Sequence, residues 1–389
     1  MRILISTTPM EGVFAPVVPV ATALVAQGHD VLVATAAQLA GRVRACGLPV
    51  VIAGPDAPQA AAKAVTLPEF QAGTQPWRIG AVMFGKVMAP AKLDDLRVVA
   101  ERFEPDLVLH APVDLAAPLL AAMLDVPSVT YGTGLLLEPE LLGAMAEWVA
   151  PLWHSAGLEP DEHAGLYRHG YLDPVPESLQ PDRGPAADVA RAVRPAVPGG
   201  PGDRLPEWAS GLGDRPVVYV SLGTVPIFNQ PTAFAPLLAG LAELDVDVAV
   251  TVGTDVDPAA LGSQPSNVHV SQWLSLAALL PRCDAVLCHG GAGTTLAALA
   301  HGLPLVLSPR GADQFPTAAA VRAVGAAQVL APDEVTSSAV RAAVTAVLTD
   351  VGYRDAAHRV RSNIAAVPDA ADVAAALGRD YAPRARHRR

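Results

Sequence analysis

The chain has 389 residues, 51% of them hydrophobic and 17% charged, with a formal net charge of −11. That length exceeds one comfortable core, so two domains are expected, and the acidic surplus excludes nucleic acid and anionic membrane as natural partners. Cys46, Cys283 and Cys288 are odd in number and lie near apolar segments, which reads as free thiols in a reducing cytoplasm. The apolar run from Val13 to Ala26 is broken by Pro16 and Pro19 and is too short for a membrane span. Strand-like residues follow Arg2 at once, so no signal peptide is expected.

Taken in order, Arg2 to Ser6 reads as a strand, followed by a loop, a helix up to Gln27 with Gly28 as its cap, and a strand from Asp30 to Thr35. This is a βαβ opening. Leu107 to His110 and Val126 to Thr130 read as further strands, with a helix between them from Leu115 to Leu124 and Asp114 as its N-cap. The stretch from Pro139 to Asp182 is less regular, and its aromatics Trp148, Trp153, Tyr167 and Tyr171 suit a pocket wall and a core equally. Pro195, Pro198, Gly199, Gly200, Pro201 and Gly202 cannot form regular structure. They place a linker at 195–205 between an N-terminal domain, 1–194, and a C-terminal domain, 206–389.

The second half opens with the strand Val217 to Val220, which ends in Ser221-Leu222-Gly223-Thr224, a small polar turn. Asp245-Val246-Asp247 and Asp255-Val256-Asp257 have a spacing that can hold a divalent ion, but they flank the apolar strand Val248 to Val252 and read as turn residues. Gln272-Trp273 offers an aromatic platform. The strand Asp284 to Leu287 then leads into Cys288-His289-Gly290-Gly291-Ala292-Gly293-Thr294 and a helix ending before Gly302. Glycines there let a ligand approach the backbone, and the helix start directs unpaired amides and a positive dipole end at it. An anion is the natural occupant, with His289 and Thr294 as added donors; the same turn would also serve as a plain tight connection. Pro304 to Ser308 is the next strand, and its exit loop carries Asp313-Gln314, which suit vicinal hydroxyls of a sugar, although Asp313 would equally cap the following helix.

On these blocks, and on Met1 to Ile5 and Gly28-His29-Asp30-Val31, the chain resembles the family-1 glycosyltransferases of the GT-B fold. The likeness is to the bacterial branch that decorates antibiotics with activated deoxysugars. The resemblance covers nearly the whole chain and implies an α/β fold of two Rossmann-like domains facing across a cleft, acceptor on the N-terminal side and donor on the C-terminal side. It implies that Trp273, with Gln272, stacks on the nucleobase of a TDP or UDP sugar. The diphosphate would fall to His289, Gly290, Gly291, Gly293 and Thr294, the sugar to Asp313 and Gln314, and further donor oxygens to Ser221, Gly223 and Thr224. It also implies that Pro139 to Asp182 lines the acceptor pocket and that the helix Ala370 to Leu377 crosses back to the first domain. The family's Asn after this Gln is Thr317 here. No cofactor or metal is expected, and a homodimer is compatible with the pattern.

The expected reaction is displacement at the anomeric carbon with inversion, and the acceptor must lose a proton. Relatives use a histidine after the first strand and an acidic residue after the strand that here ends at His110. Val13 and Ala111 occupy those places. Glu11 and His110 are the replacements best placed for the base, with Asp114 and Glu138 nearby. Three readings stay open: an active transferase with an acidic acceptor or another base, a nucleotide-binding helper that has lost catalysis, and a different enzyme on the same fold, such as an epimerase.

Overall fold

The computed structural model describes residues 1–70, 76–199, 203–212, 214–225, 228–254 and 256–382. Gly200, Pro201 and Gly202 of the expected linker, Asp255, and the basic tail from Arg384 to Arg389 lie outside them. The chain divides into two compact units. One comprises Met1–Pro174, Asp182–Arg194 and the stretch from Pro368 onward; the other comprises Val175–Pro181 and Pro195–Val367.

The first unit is built on a parallel sheet of strands β1 (Arg2–Ser6), β2 (Asp30–Thr35), β3 (Val50–Ile52), β4 (Leu107–His110), β5 (Ser128–Tyr131), β6 (Tyr171–Asp173) and β7 (Ala190–Ala192), in the order β3-β2-β1-β4-β5-β6-β7. Helices cover both faces, so the strands are apolar on both sides and alternate residues serve opposite cores. Leu4 and Val108 pack with the helices Ala89–Phe103, Ala116–Leu124 and Pro139–Ser155. Ile3, Ile5, Leu107 and Leu109 pack on the other side with Val18–Ala26 and Ala37–Ala45.

The helix Ala370–Asp380 belongs to that second face. Its Val373, Ala374 and Leu377 are buried in the cluster, and Gln27 Nε2 donates to the Ala371 carbonyl at 2.9 Å. The return that the resemblance implied for Ala370 to Leu377 therefore occurs, and the domain boundary at 206–389 differs from the observed unit because three apolar side chains complete the other core. Among the aromatics of the irregular stretch, Trp153 and Tyr171 are interior packing residues, while Trp148 and Tyr167 pack partly buried beside them.

The second unit repeats the plan with β8 (Val217–Ser221), β9 (Asp247–Thr251), β10 (Val268–Ser271), β11 (Ala285–Cys288), β12 (Leu305–Leu307) and β13 (Ala327–Val329), all parallel, in the order β10-β9-β8-β11-β12-β13. Val218, Val220, Val248, Val250, Leu287 and Val306 form one core with the helices Pro231–Leu241 and Ser337–Thr349. In each sheet the strand order reverses once, between β1 and β4 and between β8 and β11. Loops leaving the carboxyl ends of such neighbours diverge and leave a crevice in which ligands bind.

Candidate active site

The glycine turn sits at the reversal in the second unit. Cys288 pairs with Ser221 across β11 and β8, so the loops Ser221–Thr224 and His289–Thr294 leave the sheet side by side. The helix Ala292–Ala300 starts at Gly291, with no side chain capping it, so its first amides are available to an anion. His289 lies between the two loops. A Cβ on Gly223 or on Gly291 would sit 2.5 Å or 2.4 Å from His289 Nε2, so glycine at both positions leaves room for the imidazole. A Cβ on Gly293 would meet nothing within 4 Å, which leaves open space above the helix start. Ser221 is buried: its Oγ accepts from Thr251 Oγ1 at 3.1 Å and from the Gly223 amide at 3.3 Å, shaping the turn, while Thr224 is exposed.

The flanking residues divide between contact and support. Trp273 is 50% exposed, an indole face open to a base. Gln272 Nε2 donates to the carbonyls of Thr254 at 3.2 Å and Val256 at 3.3 Å, so it ties the loop after β9 to the tryptophan turn. Asp313 is exposed at the start of the helix Gln314–Ala323 and its side chain makes no cap hydrogen bond, which leaves the carboxylate for a ligand. Gln314 is buried, and its Oε1 accepts from the amides of Arg310 at 2.8 Å and Gly311 at 3.2 Å. Its side-chain oxygen thus shapes the loop. Thr317 Oγ1 donates to the Asp313 carbonyl at 2.8 Å and so steadies the same helix start.

His289 is held as a neutral ring. Burial lowers its pKa to about 4; Arg310's charge pushes the same way and the Ser221 backbone opposes it. His110 in the first unit is likewise lowered to about 4, chiefly by burial. A folded pKa below the unfolded value of about 6.5 means that the unfolded chain binds the proton first. The stability of the neutral rings is whole above about pH 6.5 and is lost as the pH falls towards 4. Calorimetric melting midpoints are therefore expected to drop across that window, and His110→Gln to shallow the drop; an unchanged slope would show that the ring is not held neutral.

In the first unit the two sequence candidates for the base are both engaged. Glu11 begins the short helix Glu11–Phe14 and accepts from Arg42 Nε at 2.9 Å. His110 is 0% exposed, with Nδ1 3.2 Å from the Ala111 carbonyl and Nε2 3.3 Å from Thr130 Oγ1. A base must reach the acceptor, and His110 is sealed beneath the sheet edge, which corrects the expectation that it stands beside a cleft. Val13 packs against the core of the helix Val18–Ala26, and Ala111 is fully buried.

Sequence reasoning missed the most polar feature of this unit. Asp114 does not cap the helix Ala116–Leu124, whose N-cap is Leu115. Its Oδ2 instead accepts from Ser6 Oγ at 2.7 Å and pairs with Lys92 Nζ at 2.8 Å, with both charged side chains buried. Lys92 also donates to the Thr7 carbonyl and, at 3.4 Å, to that of Ala34. One ammonium thereby ties the ends of β1 and β2 to the loop after β4, at the reversal of the first sheet. Glu138 precedes the helix Pro139–Ser155 as its N-cap residue, without a capping hydrogen bond.

The Asp-X-Asp pairs serve local structure. Arg215 pairs with Asp247 and, at 3.7 Å, with Asp245. Asp257 accepts from the Ala259 amide at 2.9 Å and caps the turn Pro258–Leu261. Among the described residues no helix is long and apolar enough to cross a membrane.

Solved structures share this architecture over almost the full chain. The glycosyltransferase SnogD from Streptomyces nogalater is 28% identical, with 98% of this chain and 99% of that one covered at a TM-score of 0.79. The spinosyn rhamnosyltransferase SpnG complexed with thymidine diphosphate is 26% identical, with 97% and 100% covered at 0.81. Fold and site together define a glycosyltransferase of the GT-B type. Among curated relatives, the elloramycin glycosyltransferase ElmGT of Streptomyces olivaceus is 34% identical over 396 residues, 97% of each chain. The chain belongs to the erythromycin biosynthesis protein CIII-like family, whose N-terminal domain matches residues 22–223 and whose C-terminal domain matches residues 235–379.

Proposed function

We propose that this glycosyltransferase moves a deoxysugar from a thymidine or uridine diphosphate donor to a small natural-product aglycone, with inversion and without a metal ion. The observation that carries the reading is the uncapped start of the helix Ala292–Ala300 beside His289, at the strand reversal and with open space above Gly293. Negative charge grows on the departing diphosphate, and amides fixed before reaction stabilise it without reorganising. Gly290, Gly291, Gly293, Thr294 and His289 hold the diphosphate, Trp273 stacks on the base, and Asp313 with the amide nitrogen of Gln314 orients the sugar. SpnG, which is also seen complexed with spinosyn aglycone, supports an aglycone acceptor, and the thymidine diphosphate held by SpnG supports that nucleotide.

The acceptor is a phenol or an electron-rich aromatic carbon, whose acidity or nucleophilicity lessens the need for a base. Glu11, ion-paired with Arg42, remains partly exposed, and it assists where a proton must be taken. Titration calorimetry and product analysis test the reading together. Trp273→Ala is expected to cost about 1 to 3 kcal/mol of thymidine diphosphate binding, and transfer to phenolic acceptors should survive exhaustive chelation. Equal affinity in the variant would remove Trp273 from the base site. Donor binding without transfer to any acceptor would turn the reading to a nucleotide-binding helper.

A further inference from the structure

Arg310 is a half-buried cation. It stands in the loop between β12 and the helix Gln314–Ala323, and Gln314 Oε1 fixes that loop by accepting from the Arg310 and Gly311 amides. The loop lies against the glycine turn: a Cβ on Gly290 would be 3.1 Å from the Gln314 carbonyl. Of the guanidinium, one terminal nitrogen donates to the Ala233 carbonyl at 3.4 Å, while Nε is buried with no hydrogen-bond partner among the described residues. No carboxylate among the described residues forms an ion pair with it. A desolvated guanidinium with an unused donor is costly unless an anion meets it.

The neighbours of Arg310 include the Ala233 carbonyl, the Gln314 side-chain amide and the His289 ring. Arg310 is close enough to His289 to disfavour the protonated imidazole, and His289 directly precedes the glycine turn that leads into the uncapped start of the helix Ala292–Ala300. Neutral His289 and backbone amides supply hydrogen bonds but no full charge. A nucleoside diphosphate carries more negative charge than such donors neutralise, and a planar guanidinium matches phosphate oxygens in fork geometry.

We propose that Arg310 is the charge-neutralising residue of the donor site, binding the diphosphate of the nucleotide sugar and making the site selective for diphosphates over nucleosides. The inference rests on the donor-site reading above and adds a residue to it. Titration calorimetry with thymidine diphosphate and with thymidine, on the parent chain, Arg310→Gln and Arg310→Lys, separates the two. The expected result is diphosphate affinity lower by roughly 10- to 100-fold in Arg310→Gln, thymidine affinity unchanged, partial recovery in Arg310→Lys, and a shallower salt dependence in the glutamine variant. Unchanged diphosphate affinity would overturn the proposal while leaving the donor site standing. An equal fall for diphosphate and thymidine would reduce Arg310 to loop support. A parent chain that binds neither ligand would overturn the donor-site reading and this proposal together. Should Arg310→Gln fail to fold, the lysine variant and the salt dependence of the parent decide: full affinity in the former with no salt dependence in the latter would count against it.

Discussion

Lys92→Met is expected to lower the unfolding free energy by about 3 to 5 kcal/mol, because it strands a carboxylate in the interior. Asp114 would keep only Ser6 as a donor, its Oδ1 already lying buried without a hydrogen bond among the described residues. The change would also release the Thr7 and Ala34 carbonyls at the ends of β1 and β2. Removing both charges of a buried pair is far milder than removing one. Lys92→Met combined with Asp114→Asn is therefore expected to recover most of the loss. Urea unfolding of the intact chain measures it, and a single variant within about 1 kcal/mol of the parent would show that the pair is solvated and inessential.

His289→Ala is expected to reduce turnover by roughly 10² to 10³ while changing thymidine diphosphate affinity much less, the signature of a donor that acts on charge developing in the transition state. Alanine leaves the loop backbone in place, and with it the amides of the helix start. The glycines at 223 and 291 then border a hole of imidazole size, and free imidazole should restore part of the rate. Full turnover at saturating donor would make His289 a binding residue only.

How much of this was legible depended on whether an interaction is local. His289 to Thr294 carries its own geometry, since the strand end, the glycines and the helix start are adjacent in the chain. The parallel sheets followed for the same reason, from apolar runs bounded by turn residues. The Lys92–Asp114 pair was not legible: a lysine in the helix Ala89–Phe103 is ordinarily a solvated residue, and only the crossover between β1 and β4 brings it under the sheet edge. Gln272 and Gln314 were expected to meet the donor, but their amides are partly engaged by backbone groups, a partnership that side-chain type does not disclose. Arg310 carries no distinction in the sequence, because its having no ion-pair partner among the described residues is a property of the neighbours that folding supplies.

The helix Ala370–Asp380 makes the order of synthesis matter. A ribosome releases the first unit's strands early, yet the residues that close one face of its core emerge only after the stretch Pro195–Val367 of the second unit. Until then Ile3, Ile5 and Phe14 share a face that lacks Val373, Ala374 and Leu377, a surface open to chaperones and to other nascent chains. A chain ending at Val367 would keep the glycine turn intact and still be born with an unfinished first unit, so loss of the last twenty-two residues should show up as aggregation during expression before it shows up as a change in nucleotide binding.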